Sequence, residues 1–523
     1  MNPVKIDTKM KKTFTLIALA IFFQLSVKAQ VFNPKTDINV YFNTPVDNSV
    51  AHGTNAIYLP NSTIGDTMIA YINRAKYSLD FCYFDYTEDS AWFEEGYVPP
   101  IHTAITNAYK RGVKIRWISN NIDSALGYCS AFTPNYSLDS IPAGIPKINS
   151  PSSSYAVMHN KFIIIDGKSS NPKDPIVWGG SMNLQAGQLS YDINNVMIIQ
   201  DSGVAHAYTT EFNQIWGDTV LGGPSNVSKQ KWGSAKKDLS LHHFLVGTNK
   251  IPVEAYFSPE NNDNSKILAT MTAATSEIDV CMYAFSYALD ADTMLAAHKR
   301  GIYVSCIIDG GYSADSPYTS LKPVLDSLMQ LYPEGTKTSP RCKTTVPIRL
   351  CHSKYMITDP CYWANPNSHP TVETGSHNWS KGANTSNDEN FFIVHDSTIA
   401  NIYYQNYVAT FRNAQLANGI TKPTSLRQCP ITTGANEINE KTGAINVYPN
   451  PANNQLSISF TNIQGKETPY LVYNVMGQIV LNGTLKTDAF DKIDISSLPA
   501  GLYMLAVQDG NTRYTKKFTC IKN

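Results

Sequence analysis

The chain has 523 residues, which corresponds to about three domains at roughly 150 residues each. Charged residues make up only 16% of the chain, and its 42 basic residues balance its 42 acidic residues. This composition excludes a strongly basic nucleic-acid-binding chain and an acidic disordered protein, although it is compatible with a local basic site.

The first 29 residues are typical of a secretory signal peptide. Lysines precede a short apolar run between Phe14 and Leu25, and the small residue Ala29 follows it. The run is short for a transmembrane span, and an N-terminal anchor helix is the alternative interpretation. Removal of residues 1–29 leaves 37 basic and 41 acidic residues, a net charge of −4. We therefore expect a protein that is secreted or attached to the cell surface.

Nine cysteines are compatible with an exported protein and do not indicate a metal site. Cys82 and Cys281 lie in apolar, strand-like runs, and we expect both to be buried thiols. Cys342, Cys351 and Cys361 lie close together in the sequence and are candidates for a disulfide in an oxidising compartment. No two cysteines have the spacing of zinc ligands, and we expect no metal or other cofactor.

A long internal repeat follows the signal peptide. Residues 40–42, 78–84 and 108–116 of the first copy correspond to residues 255–257, 277–283 and 298–304 of the second. In both copies a helix-like stretch ends in Arg-Gly and leads into a β-branched, strand-like segment. This alternation predicts an α/β fold with a mixed or parallel sheet, and the length of the repeat indicates a duplicated domain.

The predicted domain boundaries follow from the repeat. The two halves are expected at residues 30–222 and 251–415, with a linker over residues 223–250 between them. This linker is basic between Lys229 and Lys237. Either it is a solvated connection, or it contacts phosphate groups of lipid or nucleic acid.

A small all-β unit is predicted at the C-terminal end. A linker over residues 416–443, rich in Thr, Asn, Gly and Pro, leads to this unit at residues 444–523. Apolar and polar side chains alternate over residues 456–460, as they do in strands with one buried face. Asn482 and Gly483 predict a hairpin turn. We expect a β-sandwich of about 80 residues.

Two copies of the pattern H-x-K-x4-D carry the chemistry of the chain. They begin at His159 and His352, and each is followed by G-S-x-N, which begins at Gly180 and Gly375. One such pattern alone is a weak signal. Two copies at matching places of a duplicated domain, both followed by G-S-x-N, argue strongly against coincidence.

The spacing directs these side chains into one pocket. Histidine and lysine two residues apart on a strand point to the same face, and the same holds for the serine and asparagine of G-S-x-N. Two such sets facing each other suit a phosphoryl group. Lysine and amide donors neutralise its oxygens, one imidazole attacks phosphorus and the other protonates the leaving oxygen. The odd offset of Asp166 and Asp359 points them off this face, so a structural role competes with a catalytic one.

The duplicated pattern resembles the phospholipase D superfamily over about residues 38–415. The resemblance implies two α/β/α sandwich halves that share one active site, and a covalent phosphohistidine intermediate. It implies a catalytic set made of the two H-x-K-x4-D motifs, namely His159, Lys161, Asp166, His352, Lys354 and Asp359. It also implies a phosphate-binding set in the two G-S-x-N motifs, namely Ser181, Asn183, Ser376 and Asn378.

Members of that superfamily carry an acidic residue shortly after G-S-x-N, which orients the histidine of the opposite half. Glu389 occupies this place in the second half, whereas the first half departs from the pattern with Asn194. A carboxylate on Nδ1 fixes the tautomer of a histidine and stabilises its imidazolium form. We therefore expect Glu389 to support His159, and we hypothesise that His159 is the nucleophile and His352 the general acid.

The C-terminal unit resembles the type A sorting domain of type IX secretion. The resemblance rests on four segments at residues 447–451, 474–478, 498–503 and 516–518. It implies the outer-membrane secretion machinery as a partner and a secreted or surface-attached product. An ordinary carbohydrate-binding β-sandwich is the alternative. No obligate protein partner is indicated.

Three functions compete. The favoured one is a secreted phospholipase D-type phosphodiesterase acting on phospholipid headgroups, because a mature charge of −4 disfavours a broad polyanion groove. The second is a secreted, metal-independent endonuclease of the same superfamily; Arg341, Lys343 and Arg349 would bind the nucleic-acid backbone there, but they are equally suited to hold one lipid headgroup. The third is a catalytically inactive surface-binding protein, against which the intact histidine and lysine pairs argue.

Overall fold

The structure is a computed structural model, and it describes the chain between residues 37 and 522 with several gaps. The described residues are 37–60, 63–87, 98–120, 141–151, 156–312, 315–325, 327–331, 335–338, 345–348, 350–362, 368–421, 426, 445–460, 467–474, 479–486, 490–509 and 512–522. The expected signal peptide and Arg341, Cys342, Lys343 and Arg349 lie outside the described residues.

The first half is built on a seven-stranded mixed sheet with the order β1-β9-β7-β6-β2-β4-β5. Its strands are β1 (Ile38–Phe42), β2 (Ser78–Tyr83), β3 (Tyr86–Thr87), β4 (Lys114–Ser119), β5 (Lys147–Asn149), β6 (Lys161–Ile165), β7 (Ile176–Gly180), β8 (Leu184–Gln185) and β9 (Asn195–Ile199). Strands β3 and β8 pair separately. Its helices are α1 (Thr63–Arg74), α2 (Val98–Lys110), α3 (Ala186–Ser190) and α4 (Ser202–Trp216).

The second half is built on an eight-stranded sheet with the order β10-β11-β19-β18-β17-β12-β13-β14. Its strands are β10 (His243–Val246), β11 (Ile251–Ser258), β12 (Glu277–Met282), β13 (Tyr303–Asp309), β14 (Leu328–Leu331), β15 (Gly335–Thr338), β16 (Thr345–Ile348), β17 (Lys354–Thr358), β18 (Thr371–Gly375) and β19 (Glu389–Val394). Strands β15 and β16 form a separate pair. Its helices are α5 (Asp263–Ala273), α6 (Ala288–Lys299), α7 (Ser316–Leu321), α8 (Lys381–Thr385) and α9 (Ser397–Ala417).

The two sheets confirm the α/β fold and its duplication. Strands β11, β19, β18, β17, β12, β13 and β14 follow one another as β1, β9, β7, β6, β2, β4 and β5 do, and β10 is an additional edge strand. One apolar core contains the long helices α4 and α9 and residues of both sheets. Two further cores lie one in each half, under α1 and α2 and under α5 and α6. The shared core holds the two halves together.

The buried cysteines were predicted correctly. The side chains of Cys82 and Cys281 are fully buried free thiols in β2 and β12. Cys361 forms a disulfide, and its partner lies outside the described residues. Cys351 is a free thiol whose Sγ lies 3.5 Å from that of Cys281, so it takes no part in that disulfide.

The C-terminal unit consists of two antiparallel sheets around one apolar core, which is a β-sandwich. Its strands are β20 (Ile445–Tyr448), β21 (Gln455–Phe460), β22 (Glu467–Asn474), β23 (Ile479–Lys486), β24 (Phe490–Asp494), β25 (Gly501–Asp509) and β26 (Thr512–Cys520). The hairpin turn predicted at Asn482 and Gly483 is wrong, because both residues lie inside β23. A Cβ at Gly483 would lie 2.8 Å from a ring carbon of Tyr470, so the glycine permits close cross-strand packing.

Among the helices in the described residues, none combines the length and the apolar character that crossing a membrane requires.

Candidate active site

The two H-x-K-x4-D motifs lie at equivalent places, at the starts of β6 and β17. Both strands are buried along their whole length, since Phe162 to Ile165 and Tyr355 to Thr358 lie inside the sheets. The Lys161 ammonium donates a hydrogen bond to the His159 carbonyl at 2.7 Å, and the Lys354 ammonium donates to the His352 carbonyl at 2.7 Å. Each lysine is therefore turned back toward the histidine of its own motif.

An aromatic ring lies beside each histidine and lysine. Phe84, which follows β2, has its ring centre 5.1 Å from that of His159 and 5.2 Å from the Lys161 Nζ. Tyr283, which follows β12, has its ring centre 4.8 Å from that of His352 and 4.8 Å from the Lys354 Nζ. Each ring holds the lysine beside it by a cation–π contact.

His159 is paired with a carboxylate from the other half. Its Nδ1 lies 2.7 Å from Oε2 of Glu389, which is the first residue of β19. The same carboxylate accepts hydrogen bonds from the Ser376 hydroxyl at 2.6 Å and from the Asn387 amide at 3.0 Å. These partners keep the carboxylate fixed, so that Nδ1 of His159 carries the proton and Nε2 is left for the pocket.

His352 is paired with an amide from the other half. Its Nδ1 lies 3.1 Å from Oδ1 of Asn194. The Nδ2 group of Asn194 donates to the carbonyls of Gln188 and Asp192, each at 3.3 Å, which fixes the orientation of the amide. Because the Asn194 oxygen is an acceptor, Nδ1 of His352 must donate, and its Nε2 also faces away from this contact. The two histidines differ in the charge of their partner.

Burial and the neighbouring lysines keep both imidazoles neutral in the free site. Burial lowers the pKa of His159 to about 4, although Glu389 opposes this shift. Burial, followed by the charges of Lys354 and Lys161, lowers the pKa of His352 well below its usual value. Burial alone would raise the pKa of Glu389, but His159 and Lys161 hold it at about 2. The carboxylate is therefore ionised at neutral pH.

The two lysines also lose basicity. Burial lowers the pKa of Lys354 to about 7, and it lowers the pKa of Lys161 well below its usual value. Two ammonium groups close together in a buried site are costly without an anion. A site of this composition gains most from a ligand that brings negative charge.

Main-chain hydrogen bonds between the halves fix the segment of each histidine. The His159 N–H donates to the Asp388 carbonyl at 2.8 Å, and the Asp388 N–H donates to the Val157 carbonyl at 3.0 Å. On the other side, the Ile193 N–H donates to the Leu350 carbonyl at 2.8 Å. Each histidine therefore belongs to one half by sequence and is held by the backbone of the other.

The glycine of each G-S-x-N motif permits a close approach of two strands. A Cβ at Gly180 would lie 2.3 Å from the Asn195 carbonyl oxygen, and a Cβ at Gly375 would lie 2.2 Å from that of Asn390. Backbone atoms cannot yield at such distances, so no larger residue fits either position. The close approach brings β9, which follows Asn194, against the first motif. It brings β19, which begins with Glu389, against the second.

The serines of the two motifs contact these same residues. The Ser181 hydroxyl donates to Asn194 Oδ1 at 2.9 Å, and the Asn195 N–H donates to the Ser181 oxygen at 3.1 Å. The Ser376 hydroxyl donates to Glu389 and accepts the Asn390 N–H at 3.0 Å. Both serines are fully buried.

The asparagines of the two motifs have different surroundings. Asn183 is buried, and among the described residues its Oδ1 has no hydrogen-bond partner. Asn378 is half-buried, and its Oδ1 accepts the Ala284 N–H at 3.3 Å. This leaves the Asn378 amide group, with its Nδ2 donors, beside the residue that follows Tyr283.

Asp166 and Asp359 lie at the other ends of β6 and β17. The Asp166 carboxylate accepts the N–H groups of Lys76, Tyr77 and Ser78 at 2.6–3.1 Å. The Asp359 carboxylate makes the equivalent contacts at the start of β12, with backbone N–H groups at 2.8–3.1 Å. Each aspartate lies five positions after the lysine of its motif, about 16 Å at the rise of a strand. These contacts anchor the start of the neighbouring strand.

Sequence reasoning missed a buried charge cluster behind His159. Lys236 from the linker lies fully buried, with its Nζ 3.0 Å from Asp388 Oδ1 and 3.2 Å from Glu260 Oε2, and it also bonds to Glu211 of α4. Its Nζ donates to the Ser258 carbonyl at 2.8 Å. Lys236 is therefore not solvated, although one interpretation of the linker placed it in solvent. Its position within a lysine-rich stretch gave no sign of this.

Within the described residues, no group of three or more histidine, cysteine, aspartate or glutamate side chains is arranged to hold a metal ion.

Comparison with known proteins gives one family for each part of the chain. The family described as "Cardiolipin synthase, PLD-like domain" matches residues 68–216 and 267–410, which is more than half of the chain. The family described as "Secretion system C-terminal sorting domain" matches residues 446–522.

Among curated proteins, the chain is similar to proteins named mitochondrial cardiolipin hydrolase. The one from Xenopus tropicalis is 28% identical over 149 residues, which cover 28% of this chain and 59% of that protein. The one from Chlamydomonas reinhardtii is 25% identical over 147 residues, which cover 28% of this chain and 54% of that protein. The chain thus spans less than two thirds of the length of these relatives.

Two solved structures match parts of the chain. Nuc from Salmonella typhimurium, described as a phospholipase D family member, has 22% identity and a TM-score of 0.24, and the match covers 30% of this chain and 92% of that chain. Phosphatidylserine synthase from Haemophilus influenzae has 13% identity and a TM-score of 0.44, and the match covers 73% of this chain and 89% of that chain.

Proposed function

Because the chain belongs to the phospholipase D-like family and carries a secretion sorting domain, we propose that it is a secreted or surface-attached phosphodiesterase that removes phospholipid headgroups. One observation carries the proposal. His159 has the Glu389 carboxylate at 2.7 Å, whereas His352 has the Asn194 amide at 3.1 Å. The two histidines are thereby suited to two different tasks.

In the first step His159 is the nucleophile. Its neutral Nε2 attacks phosphorus, the bond from phosphorus to the headgroup oxygen breaks, and a phosphatidyl group remains on Nε2. The imidazole becomes positively charged as the new bond forms, and the ionised Glu389 at Nδ1 stabilises that charge. An amide at this place would stabilise it less, which is why the carboxylate marks His159 rather than His352.

His352 is the general acid and then the general base. Its Nε2 gives a proton to the departing headgroup oxygen, and in the second step it takes a proton from water. That water attacks phosphorus, the bond to His159 breaks, and phosphatidic acid leaves. In the free site the two lysine charges lower the pKa of His352. A bound phosphodiester offsets these charges, which favours the protonated form at the moment when it is needed.

The remaining motif residues bind or position. We assign Lys161, Lys354 and the amide groups of Asn183 and Asn378 to the phosphate oxygens, as hydrogen-bond donors from buried or half-buried side chains. The fully partnered Ser181 and Ser376 hold the residues that orient the histidines. Asp166 and Asp359 are assigned a structural role, because their carboxylates are occupied by backbone N–H groups at the far ends of their strands.

Phospholipid is preferred to nucleic acid as the substrate for two reasons. The chain without residues 1–29 carries a net charge of −4, which disfavours the long positive groove that a polynucleotide needs. The curated relatives are named for the hydrolysis of a phospholipid, cardiolipin. The sorting domain supports release at the cell surface through the type IX machinery.

The proposal is tested by two assays on the purified full chain in the presence of EDTA. One measures choline release from phosphatidylcholine, and the other measures degradation of plasmid DNA. We expect choline release and no DNA degradation. Degradation of DNA alone would replace the lipid substrate with nucleic acid, and loss of every activity in EDTA would contradict the metal-free mechanism.

The nucleophile is identified by trapping the intermediate. Substrate labelled with ³²P is mixed with His352→Ala and, in parallel, with His159→Ala, and the protein is quenched and separated. We expect label on His352→Ala, which keeps the nucleophile, and none on His159→Ala. The opposite result would reverse the two roles.

A further inference from the structure

The linker between the halves has an unusual pattern of exposure. From Lys236 to Val246, side chains at even positions are buried or half-buried, apart from the exposed Asp238, which pairs with His242, whereas those at odd positions face solvent. A period of two is typical of an extended segment with two distinct faces. The inward residues include Lys236, Phe244 and Val246. The outward residues, which we call the leucine ridge, are Lys237, Leu239, Leu241, His243 and Leu245.

The ridge is held in place by contacts of the backbone and of the inward side chains. The Lys237 N–H donates to the Gln214 side chain at 2.9 Å, near the end of α4, and Lys236 is fixed in the buried charge cluster. Near the start of α4, Phe244 lies so close to Gly203 that a Cβ there would be 2.9 Å from its ring. The segment thus runs along α4 in the opposite direction, and its outward face is fixed.

The ridge exposes apolar surface to an extent not matched elsewhere in the catalytic halves. Leu241 is 78% exposed, Leu239 63% and Leu245 60%, and Val227 and Val220 of the same region are 77% and 60% exposed. Among the described residues before the C-terminal unit, the other large hydrophobic side chains are at most 52% exposed. Clustered exposure of this kind marks a surface that meets another apolar phase.

A basic pocket adjoins the ridge. Lys229, Lys231 and Lys237 line it, together with Asn213, Gln214 and Leu239, and the Gln214 side chain bonds to the backbone N–H and carbonyl of Lys237. Asp218 also lines the pocket, but its carboxylate accepts the Val220 N–H at 2.8 Å. Lysine ammonium groups beside an exposed leucine can bind a phosphate group while the leucine enters the layer beneath it.

We propose that the leucine ridge and its lysine pocket dock the enzyme on an anionic phospholipid bilayer. Leucines would enter the boundary between headgroups and acyl chains, while lysines contact lipid phosphates. A nucleic acid would use the lysines but would leave three leucines in water, so the leucines favour lipid. The inference rests on the proposed phospholipid substrate, and it adds the surface by which the enzyme reaches it.

The test is co-sedimentation of the full chain with vesicles, in a His159→Ala background that prevents turnover. Vesicles of phosphatidylcholine with phosphatidylglycerol are compared with vesicles of phosphatidylcholine alone. We expect stronger binding to the anionic vesicles. The triple variant Leu239→Ser, Leu241→Ser, Leu245→Ser and the triple variant Lys229→Glu, Lys231→Glu, Lys237→Glu should each lose about tenfold or more in affinity. Leu416→Ser, at a leucine that is 51% exposed in α9, is the matched control and should bind normally.

A second measurement separates this surface from the proposed function. Hydrolysis of a short-chain phosphatidylcholine, dissolved as monomers, is measured with His159 intact, and both triple variants should keep it because the fold and the active site are unchanged. Normal hydrolysis by the wild-type chain without vesicle binding would overturn the surface alone. Vesicle binding that depends on the leucines, without hydrolysis of any phospholipid, would overturn the proposed function alone. Binding of DNA that depends on the lysines but not on the leucines would make the surface a nucleic-acid site.

Discussion

Replacing Glu389 by Gln tests the asymmetry of the two histidines most directly. The substitution keeps the size of the side chain and an oxygen for His159 Nδ1 and Ser376, but it removes the negative charge. The pair is buried and its atoms are 2.7 Å apart, so the lost interaction is a charge-assisted hydrogen bond. Such bonds contribute about 1.5–3 kcal/mol, and a neutral bond remains in its place.

Because a charge-assisted bond is roughly twice as strong as the neutral bond that remains, the net loss is about 1–1.5 kcal/mol, which at about 1.4 kcal/mol per factor of ten corresponds to a decrease of about 5- to 12-fold in kcat. The sign of the pKa change is fixed as well. Glu389 raises the pKa of His159 against the effect of burial, so its removal lowers that pKa further below about 4 and weakens the nucleophile. The assay is single-turnover formation of the phosphoenzyme with ³²P-labelled substrate, which measures the step in which His159 gains charge.

The matched control is Asn194→Asp, which gives His352 the carboxylate that Glu389→Gln takes from His159. It leaves the His159–Glu389 pair intact, so the label should still form on His159, while the pKa of His352 rises. A wild-type rate of phosphoenzyme formation in Glu389→Gln would refute the reasoning. A larger loss of labelling in Asn194→Asp than in Glu389→Gln would show that the carboxylate serves the other histidine.

Three further predictions concern charge and packing. A plot of kcat/KM against pH should rise through about pH 4, as His159 loses its proton, and fall toward about pH 7, because the general acid His352, whose pKa burial lowers, and the Lys354 ammonium both lose their protons in the free enzyme; only the part of the fall that is due to Lys354 should be absent in any activity retained by Lys354→Arg. Lys236→Met should lower the free energy of unfolding in urea by about 3–5 kcal/mol at pH 8, because three carboxylates lose their buried cation. The deficit should shrink toward pH 5, since burial raises the pKa of Glu211 and the variant can neutralise it by protonation; an equal deficit at both pH values would contradict this cause. Gly375→Ala should lower both activity and Tm, measured by choline release and calorimetry, because its Cβ would lie 2.2 Å from a carbonyl oxygen; a variant with wild-type Tm would contradict the required close approach.

The fold was predictable where local pattern and tertiary structure agree. The run from Phe162 to Ile165 is apolar at every position, and it forms a strand buried on both faces. The duplication was predictable because the same order of helix-like and strand-like segments occurs twice in the sequence. Asn482 and Gly483 were misinterpreted as a turn, because the space that Tyr470 needs beside Gly483 is a cross-strand property that local sequence does not carry.

The site was predictable in its residue types more than in its partners. The sequence shows that Asn194 stands at the place where the second half has Glu389. In the structure each of the two residues contacts the histidine of the opposite half. The partners of Ser181 and Ser376 were not visible, because a hydroxyl in a motif looks the same whether it contacts substrate or protein. Lys236 was hidden for a similar reason, since its burial depends on carboxylates from three distant segments.

The buried linker lysine bears on how a duplicated enzyme can be divided. Lys236 forms ion pairs with Glu211 of the first half and with Glu260 and Asp388 of the second, so the connecting segment forms part of an interior that belongs to both halves. A cut beside Lys236 would divide one buried charge cluster and would not release two independent modules. Fragments produced by such a cut should regain activity only when they fold together. A circularly permuted chain that keeps this segment in place should also be active. The linker is therefore a structural part of both halves, and the two halves are not interchangeable copies.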